Sequence, residues 1–66
     1  MKNNLRVERA ILRVTQQQMA DMIGVSRQTI HAIENGKYVP STVLALKIAR
    51  VCKKQVENIF SLDETD

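Results

Sequence analysis

The 66-residue sequence holds one cysteine, one proline, one histidine, two glycines and two aromatic residues, and each scarcity excludes something. Cys52 alone cannot close an intrachain disulfide, and no CxxC or His/Cys cluster stands at metal-ligating spacing, so neither a metal nor a cofactor is expected. No apolar run approaches the ~20 residues that span a bilayer, and Met1 to Asn4 does not resemble a signal peptide, which reads as a cytoplasmic chain with no membrane partner. No nucleophile, base and orienter set surrounds His31, and no glycine-rich phosphate loop is present, so the pattern is not that of an enzyme.

What is present suits packed helices. Hydrophobic residues make up 44% of the chain, but with Tyr38 and Phe60 as the only aromatics the core must be built from Leu, Ile, Val, Met and Ala. A chain this short has room for one small-core domain. Residues 1–66 are read as that domain, with its core over 4–60 and an acidic, frayed tail over 61–66. Ten basic residues face seven acidic ones, and three of the acids are Asp63, Glu64 and Asp66. The remainder is strongly basic, which points to a polyanionic partner.

Helix signals divide the chain. Asn3 or Asn4 can cap a first helix to about Arg13, with Leu5, Arg9 and Leu12 along one side, Glu8 on the inward side and Ile11 nearer the outside. Thr15 and Gln18 form a T-x-x-Q capping box for a second helix, whose inward face is Met19, Ala20 and Ile23 and which ends at Gly24. Ser26 caps a third helix with Ile30 and Ile33 inward and Gly36 at its end. Pro40 and Ser41 introduce a fourth from Thr42 to about Cys52. A short fifth, roughly Val56 to Phe60, closes the core with Val56, Ile59 and Phe60. The Phe-Ser-Leu run near the end can pair with residues 1 to 4 as a small two-stranded ribbon.

Only Gly24 and Val25 separate the second helix from the third, a corner so tight that the helices must cross steeply, as in a helix-turn-helix. With Ile30 and Ile33 at the core, Gln28 and Asn35 point away, His31 and Ala32 lie beside them, and Arg27 flanks the first turn. In a docked motif the start of this helix enters the major groove, where Gln pairs bidentately with adenine and Arg with guanine. The start of the second helix, with Thr15 and Gln16, attracts phosphate. Asn35, Lys37, Tyr38 and Thr42 can grip the backbone from the other side. Glu34 opposes the macrodipole of the third helix, and Arg9 is the candidate to compensate it as a partly buried ion pair.

These residues resemble the Cro/C1-type (XRE) helix-turn-helix repressors of phages and prokaryotes, and the likeness runs from Asn4 to Phe60. The run "TQQQMADMIGVSRQTIHAIENGKYVPS" is similar to that family's signature in its Thr-Gln opening, its Met-Ala pair, "GVSRQTI", "IENGK" and the following Pro-Ser. The resemblance implies an all-α, five-helix, lambda-repressor-like domain that binds double-stranded operator DNA as a homodimer and regulates transcription. It implies Gln16 as a phosphate clamp, Arg27, Gln28 and Ala32 at base-reading positions, and Arg9 with Glu34 as an inter-helix salt bridge. Ala32 leaves at most a methyl contact and shifts base reading toward Thr29 and His31. His31 is read as groove-facing rather than as a pH sensor. Further departures are Glu8 for a usual Leu, Ile11 and Leu12 at commonly polar positions, and Lys53-Lys54 for a Gly-Val turn.

A single module makes few base contacts, so a dimer reading half-sites about 34 Å apart is expected. Val43 and Leu46 are surplus to the core face of the fourth helix, and with Phe60 and Leu62 they form the candidate two-fold contact. The expected function is repression by occupancy of a palindromic operator. No small-molecule ligand domain is expected, which leaves control to protein concentration or a separate regulatory protein partner. The alternative is an antitoxin-like interaction module that holds a partner chain with the same fold.

Overall fold

The structure, a computed structural model, describes residues 1–66. Its elements run β1 (Lys2–Asn3), α1 (Leu5–Leu12), α2 (Gln16–Ile23), α3 (Arg27–Glu34), α4 (Thr42–Cys52), a 3-10 turn (Val56–Asn58) and β2 (Phe60–Ser61). The fold is a mostly helical helix-turn-helix domain.

Local chemistry sets most boundaries. At α2 the capping box is complete: the Gln18 N–H donates to Thr15 Oγ1 at 3.0 Å and the Thr15 N–H to Gln18 Oε1 at 2.8 Å. Ser26 Oγ accepts from the Thr29 N–H at α3, and Ser41 Oγ from the Leu44 N–H at α4. Each bond satisfies a donor that the first turn would otherwise leave unpaired. Gly24 turns α2 into α3 with φ 76°, a left-handed conformation that costs glycine little. After α3, the Gly36 N–H reaches the Ile33 carbonyl and the Lys37 N–H the Ala32 carbonyl, the paired bonds of a Schellman ending. Arg13 and Lys53 end α1 and α4 in the same left-handed region without being glycine, at φ 59° and 56°.

The first helix is capped less conventionally. Asn4 makes no side-chain cap, and Asn3 Oδ1 accepts from the Leu5 N–H at 3.1 Å. The amide nitrogen of the same Asn3 donates to the Ile33 carbonyl at 2.8 Å, so one side chain on β1 ties the start of α1 to the end of α3.

α2 packs chiefly on α3 and also on α4, while α1 rests on both α3 and α4. The core gathers Leu5, Met19, Ala20, Ile23, Ile30, Ile33, Leu44, Ile48, Ala49, Cys52, Ile59 and Phe60. Ala20 is fully buried on α2, the helix packed most heavily on α3, and its small side chain permits close approach. Glu8 takes a place in this interior at 3% exposure, its carboxylate 2.8 Å from Lys54 Nζ.

Two expectations are corrected. The fifth helix is a 3-10 turn, and the chain then straightens because Phe60 pairs antiparallel with Asn3, and Ser61 with Lys2, while the Asn4 N–H donates to the Ile59 carbonyl. So short a segment cannot offset the cost of helix nucleation against a ready partner strand. The acidic end is not frayed: the Met1 amine lies 3.1 Å from Asp63 Oδ2 and 3.0 Å from Asp66 Oδ2. Asp63 also accepts from the Thr65 hydroxyl at 2.7 Å, and these bonds, the hydroxyl's first, hold its carboxyl down to about 2.

Candidate nucleic-acid interface

The third helix divides as its periodicity requires. Ile30 and Ile33 are buried, whereas Arg27, Gln28 and His31 are exposed and Thr29 and Ala32 half-buried. Thr29 Oγ1 sits 3.1 Å from Ser26 Oγ and is occupied in the cap, while Arg27 and Gln28 stand free at the leading turn. Near the other end, Asn35 Nδ2 lies 3.0 Å from both the His31 carbonyl and His31 Nε2. The carbonyl can only accept, which makes this amide nitrogen the donor to the ring and places the imidazole proton of the neutral form on Nδ1. Lys37, Tyr38 and Thr42 are exposed between α3 and the first turn of α4.

Glu34 organises the opposite side. Its side chain is fully buried, with Arg9 Nε 2.8 Å from Oε2, and Arg9 Nη2 at 3.4 Å and Gln16 Nε2 at 3.1 Å from Oε1. Burial alone would push this carboxyl up, but the hydrogen bonds from Arg9 and Gln16 outweigh it and hold the group below the ordinary carboxylate value. Arg9 spends its remaining terminal nitrogen on the Val14 carbonyl at 3.1 Å, which fastens the α1–α2 connection to the same hub. Gln16 is therefore oriented by Glu34 through one amide hydrogen, and its second hydrogen remains for an outside acceptor. Thr15 is exposed, and its hydroxyl oxygen already serves the α2 cap.

The apolar set expected at a two-fold contact splits. Val43, Leu46 and Leu62 are exposed, Leu62 at 77%, but Phe60 is only 5% exposed and belongs to the core. Its place in β2 against β1 turns the ring inward, and the little that stays accessible lines the hollow beside Leu46. Leu46 borders a hollow of about 250 Å³ lined mainly by apolar side chains, among them Met1, Val39, Pro40, Ala45 and Val56.

The sequence profile of the helix-turn-helix family matches residues 5–59, which takes in all four helices and the tight corner. The chain belongs to the Cro/C1-type helix-turn-helix family. This helix-turn-helix protein is 48% identical to an HTH-type transcriptional regulator of Methanocaldococcus jannaschii over the whole of both chains. It is 44% identical to one of Bacillus subtilis over 97% of each chain. Among solved structures, the P22 c2 repressor, crystallised in complex with a synthetic operator, superposes with a TM-score of 0.77 over 80% of each chain at 23% identity, a likeness of fold.

In this helix-turn-helix protein Glu8 and Lys54 form one ion pair between α1 and the chain just past α4. Cys52 lies near it, and burial first, then the Glu8 carboxylate, push its thiol up and keep it protonated. Arg6 was not singled out from the sequence, and Asn3 only as a cap of the first helix, the role that its bond from the Leu5 N–H fills. For Arg6 a signal existed: Arg6, Arg9 and Arg13 stand at i, i+3 and i+7, one face of a helix. For the bond of Asn3 to Ile33 there was none, because that partner lies thirty residues away.

Proposed function

We propose that this protein is a transcriptional regulator that binds double-stranded DNA in a sequence-specific way, acting as a repressor and as a homodimer on a palindromic operator. The observation that carries the reading is the exposed pair Arg27 and Gln28 at the start of α3, set by the buried Ile30 and Ile33 behind them. In this reading Arg27, Gln28, Thr29, His31 and Ala32 face base edges in the major groove, and Thr15, Gln16, Asn35, Lys37, Tyr38 and Thr42 hold phosphates. The named relatives, both HTH-type transcriptional regulators, support the same direction.

Dimerisation rests on Val43, Leu46 and Leu62, apolar side chains that the monomer leaves in water, Leu46 beside the hollow along α4. A two-fold pair would present two copies of α3 about 34 Å apart, one turn of the duplex. Selection of bound fragments from random DNA tests the whole reading: a palindromic consensus is expected. Gln28→Ala should then relax one base position by about 1–3 kcal/mol, while Lys37→Ala weakens all duplexes alike and lowers the salt slope by about one. A Gln28→Ala variant with unaltered base preference would remove α3 from the groove.

A further inference from the structure

We infer that Arg6 is a phosphate-binding residue, placed on α1 so that its guanidinium grips the duplex backbone next to the phosphate held by Gln16. The inference rests on the DNA-binding reading and extends the contact surface beyond the two helices of the motif.

Arg6 Nε and Gln16 Nε2 both bond one oxygen, Oε1 of Glu34, at 3.5 and 3.1 Å. That shared oxygen sets a cation of α1 beside the first residue of α2. Arg9 and Arg6 differ in what they have left to offer. Arg9 uses Nε and both terminal nitrogens on Glu34 and on the Val14 carbonyl. Arg6 gives Glu34 only Nε, at the outer limit of a hydrogen bond, and its side chain is 65% exposed. Its two terminal nitrogens therefore remain as a fork, the geometry that suits a phosphate oxygen pair.

The charge around it favours an anion. Arg6 and Arg9 stand on one face of α1, with Arg13 at its C-terminal cap, and the one carboxylate bonded to them is Glu34. The one acid of the helix itself, Glu8, is turned into the core and taken by Lys54. Glu34 offsets one charge of the Arg6 and Arg9 pair, which leaves a net positive charge at the exposed Arg6.

The test compares Arg6→Gln with Arg50→Gln by titrating duplex at several salt concentrations. Arg50 is an exposed cation of α4 beside Asp21, Met22 and Gly24, at the other end of α2, and serves as a control for net charge. Arg6→Gln should keep the unfolding midpoint and reduce affinity for selected and random duplexes by the same factor, on the order of threefold to tenfold. It should also lower the slope of log K against log salt by about 0.9. Arg50→Gln should leave the slope unchanged. An unaltered slope in Arg6→Gln, or an equal loss in both variants, overturns the inference while wild-type binding and its Lys37 dependence keep the DNA reading intact. A wild-type chain that binds no duplex at either salt extreme overturns both.

Discussion

Lys54 Nζ lies 2.8 Å from Glu8 Oε2, so that two residues 46 positions apart are one structural unit. Their burial is unequal: the Glu8 side chain is almost wholly enclosed, whereas that of Lys54 is 39% exposed. Removing one partner is therefore not equivalent to removing the other.

Lys54→Ala leaves a carboxylate in the core with no counter-charge and should destabilise the domain by about 3 kcal/mol. Glu8→Leu leaves an ammonium that can turn to water, and apolar packing replaces the carboxylate. Its effect should stay within about 1 kcal/mol. Urea unfolding of the two single variants and the double variant measures the asymmetry. Equal losses in both single variants would contradict it.

Glu34 makes a second prediction, about acid. Its carboxyl is held below the ordinary value, so the stability it supplies is fully present above that value, near 4.5, and is lost as pH falls through the lower folded one. Glu34→Gln should cost about 2–3 kcal/mol at neutral pH, because Arg9 loses its counter-charge. The variant should also show a flatter decline than the parent as the solution is acidified below pH 4.5. Thermal melts between neutral pH and pH 3 read both quantities.

Lys53 ends α4 at φ 56°, a region that side chains with a β-carbon enter at a cost of roughly 1–2 kcal/mol. Glycine removes that strain but adds freedom to the unfolded chain, worth about 0.4–1 kcal/mol in the other direction. Lys53→Gly should therefore stabilise by about 0.5–1 kcal/mol, seen as a higher midpoint in urea with an unchanged slope.

Leu46 is exposed on α4 beside the apolar hollow, so a charge there should not disturb the monomer's fold. Leu46→Asp should shift sedimentation to the monomer and abolish cooperative occupancy of paired half-sites, with binding to an isolated half-site retained. A variant that stays dimeric would move the two-fold contact elsewhere.

Much of the helical frame was legible because its signals are local. The Thr15–Gln18 box, Gly24 at the corner, the Ser26 and Ser41 caps and Gly36 all act within a turn of where they stand, and the Phe-Ser-Leu run carried enough strand character to suggest the ribbon. The failures share the opposite property. Val56 to Phe60 has helical spacing, but Asn3 claims Phe60 from the far end of the chain, and that pairing wins. Phe60 was assigned both to the core and to the surface, and β2 resolves it inward. The carboxylate of Glu8 and the two-ended bridge of Asn3 left no periodic trace, since each depends on a residue that only the folded chain brings near.

The ribbon also has a temporal consequence. Lys2 and Asn3 leave the ribosome ahead of all four helices, yet their partners Ser61 and Phe60 follow the last of them. Until Phe60 and Ser61 are made, the clamp of Asn3 on Ile33 lacks the strand that steadies it, and α3 its rear anchor. A nascent chain can assemble the corner early, but it becomes a rigid reader of anything only once β2 has emerged.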